Sequence, residues 1–427
     1  MRFKFGSLVA SFAMLGTAVA VIVEGQQVSL ALLVALLAFF IAFFFGNLLT
    51  LPREAILPYL WFVLASIPGV ILYLWGGSPA SVPAKQYVGI LVLWIVVWVI
   101  FRSEEYSPDR IFLIYLRLAK FAACIGVIQE IAYLLDIEKL YDLRWVLIGV
   151  GDIDFSGNFL RVHSLFTEPS YFAAFLMPAV YFSMLKIVNK SNLVSFQSCL
   201  LYITALICTF SAIGYIGLIF CIIISMGLKF KTIIFGIIVI GFLVFIAQES
   251  PVLSSRLLSI SSILNEGFSG DENLSVFINY LNLNITKDIF LDHPIFGLGL
   301  GAYRVYSESY LGAFISGNLN LIGRTKGQLD LLTLTDGGSM YLRIIAELGA
   351  LGCIIFIYFY FLGRRKIVSR GHRDIANSAL VFIAIFSLRS GQIVRFDFIF
   401  FCALYFLIWV ECRPSWFYKN IKRIIND

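Results

Sequence analysis

The chain has 427 residues, of which 60% are hydrophobic and 14% charged, and 41 are phenylalanine. No soluble domain carries that balance, so composition excludes a soluble enzyme and points to a polytopic membrane protein. The net charge of +6 is scattered in short clusters between apolar runs, which argues for topology and against nucleic-acid binding.

The N-terminus carries Arg2 and Lys4, an apolar stretch and then Ala18-Val19-Ala20, the pattern of a signal peptide. Further apolar runs follow at once, so the expectation is an uncleaved first span. Runs of the length needed to cross a bilayer fall near 7–23, 28–48, 56–75, 86–101, 111–135 and 169–185. Six more fall near 193–209, 211–228, 231–248, 340–362, 376–391 and 394–411. The predicted fold is therefore all-α, with about 12 transmembrane helices. Membrane helices 1–9 occupy 1–248, with an outer loop at 136–168. A long loop fills 249–339, and helices 10–12 with a tail fill 340–427.

Basic residues orient these spans. Arg364, Arg365, Lys366, Arg370 and Arg373, and the tail Arg413, Lys419, Lys422 and Arg423, belong on the cytoplasmic side. Counting back puts Lys229/Lys231, Lys186/Lys190, Arg102/Arg110, Arg53 and Arg2/Lys4 on that side too, with both termini inside. The long loop is then outside, and residues 250–338 reverse the bias, with five Lys/Arg against eight Asp/Glu. Within it HPIFGLGLGAY (293–303) reads as turns at a membrane surface, and the Ser/Asn-rich 254–275 as amphipathic or mobile.

Four polar features collect at the outer boundary of this topology: Arg161, His163 and Glu168 ahead of the sixth span, CTFSAIGYIG (208–217), Arg343 with Glu347, and Arg389 with Arg395. Ionisable groups at a span entrance are costly unless paired or used. Arg343 and Glu347 are spaced i, i+4 and can pair on one helix face, which is either a structural tie or part of a site. Arg389 and Arg395 break the positive-inside pattern, either by reaching lipid phosphates or by gripping a bound phosphate as planar forks. There is no GxxxxGK[ST], no GxGxxG after a strand and no HExxH, and the seven cysteines form no CxxC pair. No cofactor and no metal site are expected.

The stretches RVHSLFTEPSYFAAFL, TFSAIGYIGL, DHPIFGLGLGAYRV and SMYLRIIAELGALG together resemble the O-antigen ligase and polymerase superfamily of bacterial envelopes, in that family's order and spacing over roughly residues 158–362. The resemblance implies a multi-pass protein of the bacterial inner membrane. It would act at the outer face on glycans carried on undecaprenyl diphosphate, with membrane lipids around it and a chain-length regulator as a further partner. An arginine in the family's first motif, matched by Arg161, is thought to handle the diphosphate. The ligase branch carries a histidine before the tenth span; Gly338 and Ser339 stand there instead. With the EPS tripeptide at 168–170, this favours an O-antigen polymerase over a ligase transferring glycan to lipid A core. A lipid-linked-glycan flippase would instead place charges at mid-bilayer and show matching halves, and neither pattern is present.

In a polymerase, Arg161 is the first candidate for stabilising the diphosphate leaving group, with Arg389, Arg395, Arg304 or Arg324 as a second cation. Glu168 and His293 are the candidates for receiving the acceptor proton. Arg343 and His163 are further candidates for substrate contact, His163 equally as a donor at the helix entry. Tyr303, Tyr306 and Tyr310 suit stacking on sugars or anchoring at the interface.

Overall fold

The computed structural model describes residues 20–23, 26–29, 53–145, 153–227, 251–266, 274–307, 337–362 and 369–411, with single positions 241 and 309. Most of the first two expected spans, nearly all of the ninth, and Arg324 lie outside the described residues. Where the first two apolar runs approach each other, the backbone is extended: β1 (Ala20–Val23) pairs antiparallel with β2 (Gln26–Ser29). The helix expectation fails at those ends, whose β-branched valines and isoleucine favour strand.

From residue 53 onward hydropathy places the helices well. They are α1 (Arg53–Trp75), α2 (Ser81–Ser103), α3 (Pro108–Leu134) and a single turn α4 (Glu138–Tyr141). A hairpin follows, β3 (Phe155–Ser156) with β4 (Phe159–Leu160). Then come α5 (Pro169–Ile187), α6 (Phe196–Cys208) and α7 (Ala212–Met226). The long loop contributes α8 (Pro251–Glu266) and α9 (Leu274–Asp292), and the chain continues through α10 (Met340–Leu362), α11 (Arg370–Arg389) and α12 (Phe396–Glu411). Among the described residues five helices are long and apolar enough to cross a membrane, and α6, α7 and α12 are shorter apolar helices. This is a multi-pass helical membrane protein.

The central helix is α5, packed on by α6, α7 and α11. Its residues from Phe172 to Leu185 are all buried, an apolar surface on every side. A helix hydrophobic all round belongs in the middle of a bundle. Pro169 opens it at the first helical position, where a missing N–H costs nothing. Pro178 interrupts it, because its ring crowds the preceding turn. The buried Tyr115 hydroxyl repairs the ladder there, donating to Phe175 O at 2.7 Å and accepting from Ala179 N at 3.2 Å.

A second break positions the long loop. Inside α10, Gly349 adopts φ 60°, ψ −154°, leaving the left-handed region to a residue without Cβ. The Gly-rich run enters this gap. Leu298 N and Gly299 N donate to Ala346 O and Glu347 O at 2.9 Å each, and Ala350 N and Leu351 N donate to Pro294 O and Ile295 O at 2.9 and 3.1 Å. Ala346 O, Glu347 O, Ala350 N and Leu351 N thereby find partners at the break, as a span requires. The expectation of surface turns holds for 293–296, which are exposed turns, and is corrected for 297–303, where Leu298, Leu300, Ala302 and Tyr303 are buried in the core.

Candidate functional site

The segment from Asp154 to Tyr171 forms the N-terminal approach to α5. Hairpin register fixes its start: with Phe155 opposite Leu160, the next rung pairs Asp154 with Arg161. Arg161 N donates to Asp154 O at 2.9 Å, and Arg161 Nη1 reaches Asp154 Oδ2 at 2.7 Å. After the hairpin the chain turns inward. Val162 N donates to Cys208 O at 3.0 Å, Ser164 N to Gln129 Oε1 at 2.7 Å, and Ser164 Oγ to Ala122 O at 2.7 Å. Val162, Ser164 and Phe166 are fully buried, held by α3 and the end of α6, and Arg161 and His163 between them are buried as well.

Glu168 stands at the N-cap of α5 in extended conformation. It pairs with Arg389, the last residue of α11, whose Nε also donates to Ser170 Oγ at 2.5 Å. Ser170 Oγ in turn donates to Glu168 at 3.1 Å. Tyr171 supports two cations: the Arg389 and Arg395 guanidinium carbons lie 4.6 and 4.3 Å from its ring centroid. The tetrapeptide Glu168-Pro169-Ser170-Tyr171 thus spends three side chains on arginines from the α11–α12 turn. Arg395 is further held by the buried Asp397, with Nε to Oδ1 at 3.0 Å and Nη2 to Oδ2 at 3.1 Å.

Arg256 of α8 joins this group, and sequence reasoning missed it. It lies within electrostatic reach of Arg161, Arg389, Asp154 and Glu168. It is the single Lys or Arg of α8. That isolation in a Ser-rich helix was the available signal, but nothing local in the sequence says that α8 folds back to the start of α5. Burial, then the adjoining Arg161 and Arg389 cations, lowers the Arg256 guanidinium from its ordinary value. Burial likewise lowers Arg161, against the pull of Asp154, Glu168 and Tyr215. Both arginines keep a buried Nε without a hydrogen-bond partner. Three cations therefore face two carboxylates, with two donors unsatisfied. A buried donor without a partner costs about 1–3 kcal/mol, and an acceptor oxygen at either Nε would remove that cost.

Burial would raise the Glu168 carboxyl, but Arg389, then the Ser170 hydrogen bond and Arg161, outweigh it and hold it below the usual value. Burial lowers the His163 imidazole, which is 3% exposed and has Nδ1 without a partner.

The remaining sequence candidates fall elsewhere. Arg343 is buried in its own pair, with Nε to Glu347 Oε1 at 2.9 Å and Nη1 to Gly391 O at 2.8 Å. Glu347 Oε1 also accepts from Tyr303 N at 3.3 Å, so this pair ties α10 to the Gly-rich run and to the α11–α12 turn. His293 is exposed at the end of α9, where its carbonyl accepts from Gly297 N at 3.1 Å. Arg304 is exposed and makes no ion pair among the described residues. Also among the described residues, no group of three His, Cys, Asp or Glu has the arrangement of a metal site.

No family model matches the chain, and no curated protein matches it in sequence. The arrangement of arginines is thus the primary guide to its chemistry.

Proposed function

We propose that this protein is a glycan polymerase of the bacterial inner membrane, joining oligosaccharide repeat units carried on undecaprenyl diphosphate at the outer face, with both termini cytoplasmic. The observation that carries this reading is the Arg161 and Arg389 ion pairs at the start of α5 with Arg256 within electrostatic reach, the buried Nε atoms of Arg161 and Arg256 having no partner among the described residues. Planar forks suit phosphate oxygens, and preorganised cations lower the barrier where negative charge develops. The acceptor hydroxyl oxygen attacks the anomeric carbon of the donor glycan. The bond from that carbon to the diphosphate breaks, and its electron pair leaves with the lipid diphosphate between the arginines. Glu168, beside them, takes the hydroxyl proton; His293 lies outside the cluster and serves the turn after α9. Ser170 and the Tyr171 ring hold Arg389 in place, and Arg395, paired with Asp397, stands over the same ring. Two membrane-anchored substrates meeting at one opening gain much of their rate from orientation alone.

Reconstitution with a lipid-diphosphate repeat unit tests the reading. A ladder of products formed without lipid A core supports polymerisation. Product that forms only when lipid A core is supplied identifies a ligase, and absence of glycosyl transfer in both conditions overturns the enzyme reading.

A further inference from the structure

We propose that Asp154 is a further residue of this site, and that Asp154 and Glu168 are resident counter-anions which the two phosphates of the ligand displace. The inference rests on the diphosphate reading above. Within each pair the cation is anchored and the carboxylate is open to exchange. The Arg161 side chain is 8% exposed against 53% for Asp154, and Arg389 is 25% exposed against 51% for Glu168. Arg161 is fixed by the hairpin rung, and Arg389 by Ser170 and the Tyr171 ring.

A carboxylate on an arginine fork occupies the place a phosphate takes. Asp154 bonds Arg161 through Nη1 and leaves Nε unsatisfied. An arginine presents its forks as Nε with Nη2 or as Nη1 with Nη2, so a phosphate can replace Asp154 across Nη1 and Nη2 with two acceptor oxygens where Asp154 supplies one. Two exchangeable pairs bordered by Arg256 offer a cation to each of two phosphates, so the ligand class proposed is a diphosphate.

Exchange has a chemical consequence. Arg389 is what chiefly holds the Glu168 carboxyl down. Once a phosphate takes Arg389, the freed carboxylate becomes a stronger base, beside the bond that breaks. It then removes the acceptor hydroxyl proton as the new carbon–oxygen bond forms and the diphosphate departs with the electron pair of the old one. Donor binding thereby arms the base.

Calorimetric titration of the full-length protein in detergent with inorganic pyrophosphate separates the possibilities. Asp154→Asn removes the competing anion and should bind about tenfold tighter than the unaltered protein, a difference of about 1.4 kcal/mol. Glu168→Gln should shift in the same direction. Asp142→Asn removes an equal charge from an acid paired instead with Arg144, at 2.8 Å, and should leave affinity unchanged. Equal or weaker binding by Asp154→Asn and Glu168→Gln, or equal tightening by Asp142→Asn, overturns the displacement while leaving the diphosphate reading intact. Absence of pyrophosphate binding, or binding that survives Arg161→Ala undiminished, overturns both.

Discussion

Arg161 and Arg343 look alike in the sequence, each a few residues ahead of a glutamate near the start of an apolar run, and their surroundings separate them. Arg343 has Glu347 and Gly391 O as partners and is buried with them. Arg161 has an unsatisfied buried nitrogen and two other arginines nearby. Arg343→Ala leaves Glu347, 1% exposed, without its counter-charge, and breaking a buried pair costs about 3–5 kcal/mol. Thermal unfolding in detergent should show a clear fall in melting temperature; an unchanged midpoint contradicts the structural assignment. His163 and Glu168 each contribute to the acid response. Both are held below their ordinary values of 6.5 and 4.5, so the folded state binds fewer protons than the unfolded chain. Their contribution to stability is full above those values and declines as pH falls, through His163 first and Glu168 later. His163→Gln should flatten the upper part of that decline, measured as melting temperature between about pH 7 and about pH 5. Spacing i, i+4 made the Arg343–Glu347 pair legible beforehand. The Arg389–Glu168 pair was not, because its partners are more than two hundred positions apart and only packing unites them.

Two helix interruptions do work that hydropathy does not register. In α5 the Tyr115 hydroxyl bridges the gap left at Pro178. Tyr115→Phe leaves Phe175 O and Ala179 N without it in the bundle interior and should cost about 1–3 kcal/mol, read as a lower unfolding midpoint. In α10, a Cβ on Gly349 would stand 2.6 Å from Ile295 O at a backbone conformation L-residues avoid. Gly349→Ala should therefore expel the Gly-rich run and destabilise by more than about 1 kcal/mol, with limited proteolysis cutting near 293–303 sooner than in the parent. Retained protease resistance would contradict the inserted arrangement. A glycine in an apolar run reads only as a tolerated weak point, so the break at 349 was not foreseen, and the loop that fills it was assigned to the surface. Gly297, at φ 66°, shows the matching constraint, since its Cβ would meet the Glu347 backbone at 2.4 Å.

At the level of the whole chain, the apolar helices α1–α3, α5–α7 and α10–α12 were legible because apolar length is dictated by the bilayer, whereas α4, α8 and α9 fall in stretches read as loops. The site was legible in part. Arg161, Glu168, Arg389 and Arg395 were marked because cations and acids at a span entrance need a reason. Asp154 and Arg256 were not marked, because a hairpin rung and the return of a loop helix are tertiary facts. The proposed function reduces to a single claim: cations from three distant parts of the chain act as one anion site for glycosyl transfer. Ladder formation by reconstituted Arg161→Ala, inserted at the level of the parent protein, tests it most directly. The account predicts that the ladder disappears; a ladder of normal length and rate from that variant would contradict it.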